Sequence, residues 1–342
     1  MAKKERIGIV GGRFDPVRSS HIHAALTLLD SGSVDRVLLL LSGEGALISA
    51  EDRWKMLVAA CACDKRMIPS RLCLDMDADP CSGAVMKELS KLYPDAKLRL
   101  LPDVSDTSEV SVEEDLPVPV LEYCRCKGLC GFPHKMEHID LWMDHLFTAL
   151  KPRRFAHSLS VARTSVQLAE LYGENPLKAE QAGLLHDCAK CLSLDEMRKI
   201  ARKHQLTDDP EFLASASLLH SVVGACVARE DYGMEDPEVL EAIAYHNTGC
   251  AGMSRLAMCV CLADFIEPNR TPFPGLAEVR RLSEVSLERA LLLSLESVAD
   301  HVRSGGRSLH PRTLGAIEWL RTLPAVQSAP AESGAVNKEK ES

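Results

Sequence analysis

Every strand-like apolar run in this chain lies before about residue 139, and beyond that point the apolar spacing is helical throughout. That switch constrains the fold more than any other feature. In the first part "RIGIVGG" is a short apolar run halted by two glycines, "SSHIHAALTLLDSG" has helical spacing, and "RVLLLLS" is a second buried run. "AEDRWKMLVAACA" returns to helix, and "VMKELSKLYPDA" leads into a third strand in "KLRLLPDV". Alternation of this kind predicts a parallel sheet with crossover helices. The acidic, turn-rich "SDTSEVSVEEDLP" closes it, and "VPVLEYCRCKGLCG" predicts a last short helix. A chain of 342 residues is long for one core. The expected organisation is therefore an α/β domain over residues 1–131, a linker at 132–144, an all-α domain over 145–325 and a tail at 326–342. The tail, "QSAPAESGAVNKEKES" at its end, has no apolar face and is expected to be disordered.

In the second part, "SLSVARTSVQLAELYG" predicts a helix with Leu159, Ala162, Val166 and Ala169 on one face and Gly173 as its stop. Aromatic residues make up only 4% of the chain, so the cores are built from Leu, Ala, Val and Met. A net charge of −9 argues against broad binding to nucleic-acid phosphates. No apolar run approaches the roughly 20 residues of a membrane span, and the N-terminus runs into a strand instead of a signal-peptide core. Thirteen cysteines without a secretion signal read as free thiols in a reducing cytoplasm. The cluster Cys124, Cys126 and Cys130 with His134 and His138 matches the spacing of structural zinc sites poorly.

"AGLLHDCAKCLS" then poses the functional question, because His186 and Asp187 end an apolar run in which isolated polar groups are costly. One such pair reads as a satisfied core histidine beside a capping aspartate. The same domain, however, repeats the pattern. "RRFAHSLSVA" holds His157, "ASLLHSVVGACVA" holds His220, "LEAIAYHNTG" holds His246, and "AMCVCLADFIEP" holds Asp264. Four imidazoles and two carboxylates at six apolar positions are too many to leave unpaired, and a metal site pairs them. Mixed imidazole and carboxylate donors without a required thiolate suit two first-row ions, iron or manganese, in preference to one tetrahedral zinc. Asp187 is the candidate bridge between ions about 3.5–4 Å apart, a spacing used for phosphoester and phosphoanhydride hydrolysis at neutral pH.

In that order these six residues resemble the HD-domain phosphohydrolases. The stretches "RRFAHSLSVA", "AGLLHDCAK", "LLHSVVGA", "AIAYHNTGCAGMS" and "LADFIEPNR" are similar to one branch, the bacterial symmetrical diadenosine-tetraphosphatases. The resemblance covers about residues 145–322. It implies a helical bundle with a di-metal centre, iron first, and cleavage of diadenosine tetraphosphate into two ADP. Beside the ligands, Lys190 lies about one turn beyond His186 and is expected to reach a phosphate as a point charge. Arg154, Arg270 and the turn Thr248–Gly249 are further substrate-binding candidates, Gly249 because a glycine backbone permits close approach. Asp187 and Lys190 are the expected catalytic residues. The oligomeric state is open, with a homodimer among the arrangements allowed.

The first part resembles nicotinate-nucleotide adenylyltransferases in "GIVGGRFDPVRSSHIHAA", where a Rossmann-like strand, a Gly-rich turn and a helix start hold ATP phosphates. Gly11, Gly12 and His21 persist. The family's His-x-Gly-His motif, however, reads Arg18-Ser19-Ser20-His21, and its closing Ser-rich motif reads "VSDTSEV", with Asp106 among the phosphate positions and Val110 where an arginine belongs. Relative to that family a central block is missing, so a shortened fold is expected. Loss of a cationic clamp on the transferring phosphate removes a main source of catalysis, so this half is expected to be a degenerate, inactive nucleotidyltransferase. The alternatives are another HD-type nucleotide phosphohydrolase, a bifunctional enzyme that retains adenylyl transfer, and a non-catalytic nucleotide sensor.

Overall fold

The computed structural model describes residues 4–43, 45–101, 113–134, 136–306 and 308–327. Asp106, Val110 and most of the expected tail lie outside them. The first part runs β1 (Glu5–Gly12), α1 (Ser19–Asp30), β2 (Arg36–Leu41), α2 (Ala50–Cys61), β3 (Met67–Ser70), α3 (Leu72–Asp75), α4 (Gly83–Leu92), β4 (Ala96–Leu100) and α5 (Val118–Lys127). The sheet is parallel, in the order β3-β2-β1-β4. The apolar runs bury both faces, as a covered parallel sheet requires. Ile7, Ile9, Leu38 and Leu40 pack against α3 and α4, while the alternate residues Val10, Val37, Leu39 and Leu41 face the larger core. β3 was not expected from the sequence. Its four residues include Pro69, too short and too interrupted to stand out as a strand.

The second part is helical: α6 (Ile139–Ala149), α7 (Pro152–Tyr172), α8 (Pro176–Leu185), α9 (Leu194–Lys203), α10 (Pro210–Ala214), α11 (Ala216–Tyr232), α12 (Pro237–Tyr245), α13 (Arg255–Ile266), α14 (Leu276–Ser283), α15 (Leu287–Ser304), α16 (Pro311–Thr322) and α17 (Pro324–Gln327). A 3₁₀ turn, Cys188–Cys191, follows α8. The local signals are those of well-marked helices. Proline opens α7, α8 and α12, Asn175 and Asp236 cap α8 and α12, and Gly173 and Gly233 end α7 and α11 in the left-handed region. The face predicted for α7 is buried as expected at Leu159, Ala162, Val166 and Ala169.

The expected linker at 132–144 is not a bare connection. It contains Met136 and the start of α6, and Ile139, Trp142 and Met143 are buried. The Trp142 indole donates to the Tyr232 carbonyl at 2.8 Å, so these residues are held by the helical part. Nor do the two parts have separate cores, since one apolar cluster runs from Val10 and Leu39 through Val120 and Tyr123 to Leu159 and Leu185. Lys55 of α2 pairs with Asp144 of α6 across the junction.

One close approach positions the site. A Cβ at Gly183 of α8 would lie 2.6 Å from the Ala162 Cα of α7. Glycine therefore lets the two backbones touch, and this brings the end of α8 beside His157, with the His157 and His186 rings 5.3 Å apart.

Candidate metal centre

Five segments converge. His157 projects from α7, His186 and Asp187 from the end of α8, His220 from α11, His246 from the end of α12 and Asp264 from α13. All six sequence-predicted ligands meet at one point, and all except the partly exposed Asp264 are buried. Asp187 is at the middle. Its Oδ1 is 3.2 Å from His220 Nε2 and 3.6 Å from His246 Nε2. Its Oδ2 is 3.4 Å from His186 Nε2 and 3.9 Å from His157 Nε2. His157 Nε2 is also 3.0 Å from Asp264 Oδ1.

The backbone dictates how three of the rings present themselves. His186 Nδ1 is 2.6 Å from the Gly183 carbonyl, His220 Nδ1 is 2.9 Å from that of Ser217, and His246 Nδ1 is 2.8 Å from that of Ile243. A carbonyl only accepts, so each ring carries its proton on Nδ1 and turns a bare Nε2 inward. His220 Nε2 and His246 Nε2 then face each other at 3.1 Å, lone pair to lone pair. His157 Nε2, His186 Nε2 and Asp187 Oδ1 are buried without a hydrogen-bond partner. Such atoms fit a cation and little else. The donors form overlapping sets, His157 with His186 and Asp264, and His186 with Asp187 and His246.

The charges agree. Asp264 is held well below the usual carboxylate range, against burial, by His157 and the Arg270 guanidinium. Burial pushes the His220 imidazole down to about 4 and lowers His186 as well, which keeps both rings neutral as metal donors. His157 differs. Burial pulls it down, but Asp264 and Glu267 together raise it.

Glu267 is the functional residue that sequence reasoning missed. It is 2% exposed, its Oε1 lies 3.2 Å from His157 Nδ1, and its Oε2 accepts from the Asn269 amide at 2.7 Å. A carboxylate behind a ligating imidazole fixes the ring and raises its basicity. The only signal was a glutamate one turn past Asp264, before Pro268, where a solvent-facing helix end is the ordinary reading.

Of the cationic candidates, Arg154 pairs with Asp187, Arg270 pairs with Asp264, and Lys190 Nζ is 3.2 Å from His220 Nδ1. Burial lowers the pKa of Lys190. Arg154, His157 and Arg270 line a cleft of about 850 Å³ between the two parts. Thr248 and Gly249 do not line it. Thr248 is buried and donates to the Gly249 carbonyl at 2.9 Å, and a Cβ at Gly249 would meet Ala316 at 3.1 Å. Packing against α15 and α16 therefore accounts for this turn.

The cysteines and histidines of the 124–138 cluster do not come together as one ligand set. Cys126 faces Glu122 and Glu180, Cys124 faces Met56 and Cys130, and among the described residues His134 and His138 do not converge with them.

In the first part, the Gly-rich turn and the start of α1 are closely packed. A Cβ at Gly11 would lie 2.2 Å from Pro80, Phe14 packs edge-on to His21, and His21 Nδ1 accepts from the Arg18 amide at 3.0 Å. The start of α1 is closed by Asp115, whose carbonyl accepts from the Ser19 amide at 2.7 Å and whose side chain meets Arg18 at 3.2 Å.

Comparison with known proteins agrees with this layout. The HD domain model matches residues 154–269. The symmetrical bis(5'-nucleosyl)-tetraphosphatase of Bacillus subtilis is 36% identical over 176 residues, covering 50% of this chain and 91% of that protein. A crystal structure of a "predicted HD superfamily hydrolase involved in NAD metabolism" from Clostridium acetobutylicum superposes with a TM-score of 0.52 at 36% identity, over 54% of this chain and 98% of that one. A two-part relative from Mycoplasma pneumoniae is named a "probable nicotinate-nucleotide adenylyltransferase/Ap4A hydrolase". It is 23% identical over 311 residues, covering 77% of this chain and 88% of that protein.

Proposed function

The chain belongs to the family of symmetrical bis(5'-nucleosyl)-tetraphosphatases, and from that premise we propose that it is a metal-dependent hydrolase splitting diadenosine tetraphosphate into two ADP. The observation that carries this reading is the convergence of inward-turned, unpartnered Nε2 atoms on the buried Asp187 carboxylate. His157, His186, Asp187, His220, His246 and Asp264 would hold two divalent ions, iron or manganese. When bound, such ions supply an acidified water and Lewis-acid stabilisation of phosphoryl charge.

The chain's own residues provide the rest. Glu267 keeps the His157 ring in place through Nδ1. Arg154, Arg270 and Lys190 sit at the rim of the centre, where their charges neutralise phosphate oxygens, the arginines by paired N–H groups and the lysine as a point charge. Seating one ADP moiety against them makes the other ADP the leaving group. The nucleotidyltransferase-like half is read as inactive, since Arg18 stands where the motif's first histidine belongs and pairs with Asp115, whose carbonyl accepts from the Ser19 amide at the start of α1.

No helix among the described residues is long and apolar enough to cross a membrane. All thirteen cysteines are free, which accords with a cytoplasmic setting. A homodimer and the absence of nucleic-acid binding belong to the same reading. The test is a substrate panel on purified, iron- or manganese-loaded protein with all products identified. Turnover of diadenosine tetraphosphate to ADP is expected, and turnover of only nucleoside monophosphates to nucleoside and phosphate would overturn the assignment.

A further inference from the structure

The cleft beside the candidate centre has two walls, and only one of them belongs to the helical part. Lys151, Arg153, Arg154 and Arg270 line it on that side, together with Phe273. The opposite wall is built by α1, the end of α2 and the start of α5, with Ile22, His23, Ala62, Cys63 and Val118 among its residues. The Bacillus subtilis relative is matched over 91% of its own length by half of this chain, so that protein has little room for a counterpart of this second wall.

We propose that the nucleotidyltransferase-like part has become the subsite for the distal nucleoside, the one leaving with the departing ADP. The proposal rests on the functional reading above. Three observations carry it.

The first is continuity, because the same cleft is lined by His157 and Arg154 of the centre and by His23 and Ala62 of the first part. Its volume of about 850 Å³ is at the upper end of ligand pockets. The second is charge. Lys151 and Arg153 are exposed and, among the described residues, form no ion pair, and with Arg154 and Arg270 they make a cationic track in a chain of net charge −9. Among the described residues Glu267 is the one carboxylate in the lining, and it is turned to His157. A polyphosphate is the complement of such a track. The third is the character of the rest of the lining, where charge gives way to small apolar residues on the opposite wall and to an accessible ring on each side. Phe273 is 38% exposed and braced edge-on by Phe265 at 5.2 Å, and His23 is exposed on α1. Aromatic faces beside a phosphate track are how bases are held without sequence-like readout.

The test uses the full metal-loaded chain. His23→Ala and Phe273→Ala are surface substitutions, and unchanged melting curves would confirm that they fold. The preference for diadenosine tetraphosphate over adenosine 5'-tetraphosphate, as the ratio of kcat/KM values, is expected to fall about tenfold in each. The loss should lie in KM for the dinucleotide. An unchanged ratio in both variants overturns the proposal. Independently of turnover, photo-crosslinking with an azidoadenine dinucleoside tetraphosphate followed by peptide mapping should label peptides of α1 or α2. Label confined to residues beyond 145, or no label at all, overturns the subsite. Absence of dinucleotide hydrolysis by the unaltered chain would overturn the functional reading, and the label map would still decide the wall.

Discussion

Asp187→Asn separates a dinuclear centre from a collection of buried histidines, because the substitution keeps the side-chain shape and removes only the charge. Asp187 is 2% exposed and is the one ligand whose two oxygens face different partners, Oδ1 towards His220 and His246 and Oδ2 towards His186 and His157. Loss of its charge should therefore weaken both ions together. An ion present at about 100 times its Kd stabilises the fold by about 2.7 kcal/mol. At roughly 2 °C per kcal/mol for a chain of this size, that is a Tm difference of about 5 °C for one ion and about 10 °C for two. The assay is the Tm shift on adding EDTA, read beside metal content by elemental analysis. Comparing each protein with and without chelator cancels whatever the substitution does to the metal-free fold. The unaltered chain should show the large shift, Asp187→Asn almost none. Asp264→Asn should lose about half, because Asp264 lies within hydrogen-bonding distance of His157 alone among the imidazoles. A shift and metal content in Asp187→Asn equal to those of the unaltered chain would refute the bridging role.

Glu267→Ala should lower metal affinity by about 10–100-fold, with Glu267→Gln losing less, as measured by competition with a chelating dye. Equal affinity in both variants and the parent would make the Glu267–His157 contact incidental. The α5–α8 junction gives a pH prediction. Burial and the neighbouring Glu180 raise Glu122 well above the usual carboxylate range. A raised folded pKa means stability present below the unfolded value, about 4.3, and lost as pH rises through the folded one. Glu122→Gln should thus raise Tm by a few degrees at pH 8 and leave it unchanged near pH 4. A uniform shift at both pH values would contradict the sign. Finally, no adenylyl transfer from ATP to nicotinate mononucleotide is expected, since Arg18 and the start of α1 are engaged by Asp115. Formation of the dinucleotide would restore the bifunctional alternative.

The ligands were legible because each is a polar side chain set in an apolar helix, a conflict that only a shared partner resolves. The helical half was legible for a related reason. Its signals are local, such as Pro at helix starts, Gly173 at a stop and a 3.6-residue apolar period. What escaped was decided at longer range. Met67–Ser70 is a strand only because β2 lies beside it. Residues 139–144 read as connection because Asp140 and Asp144 alternate with buried Ile139, Trp142 and Met143, and only contact with α11 shows which face is inside. Glu267 is acidic, at a helix end and before proline, a context usually facing water, and its burial depends on α7 crossing α13. The shared core and the two-walled cleft have no sequence signature, because both arise where the two parts meet.

The most direct test of the central claim is the fate of diadenosine tetraphosphate in water enriched in ¹⁸O, using the full chain loaded with iron or manganese and mass analysis of every product. Attack by water on one of the two middle phosphorus atoms, breaking its bond to the oxygen between them, predicts ADP as the sole product, with label in at most one ADP of each pair. ATP and AMP as the main products, or adenosine with inorganic phosphate, would contradict symmetrical cleavage while leaving the ligand geometry as it stands.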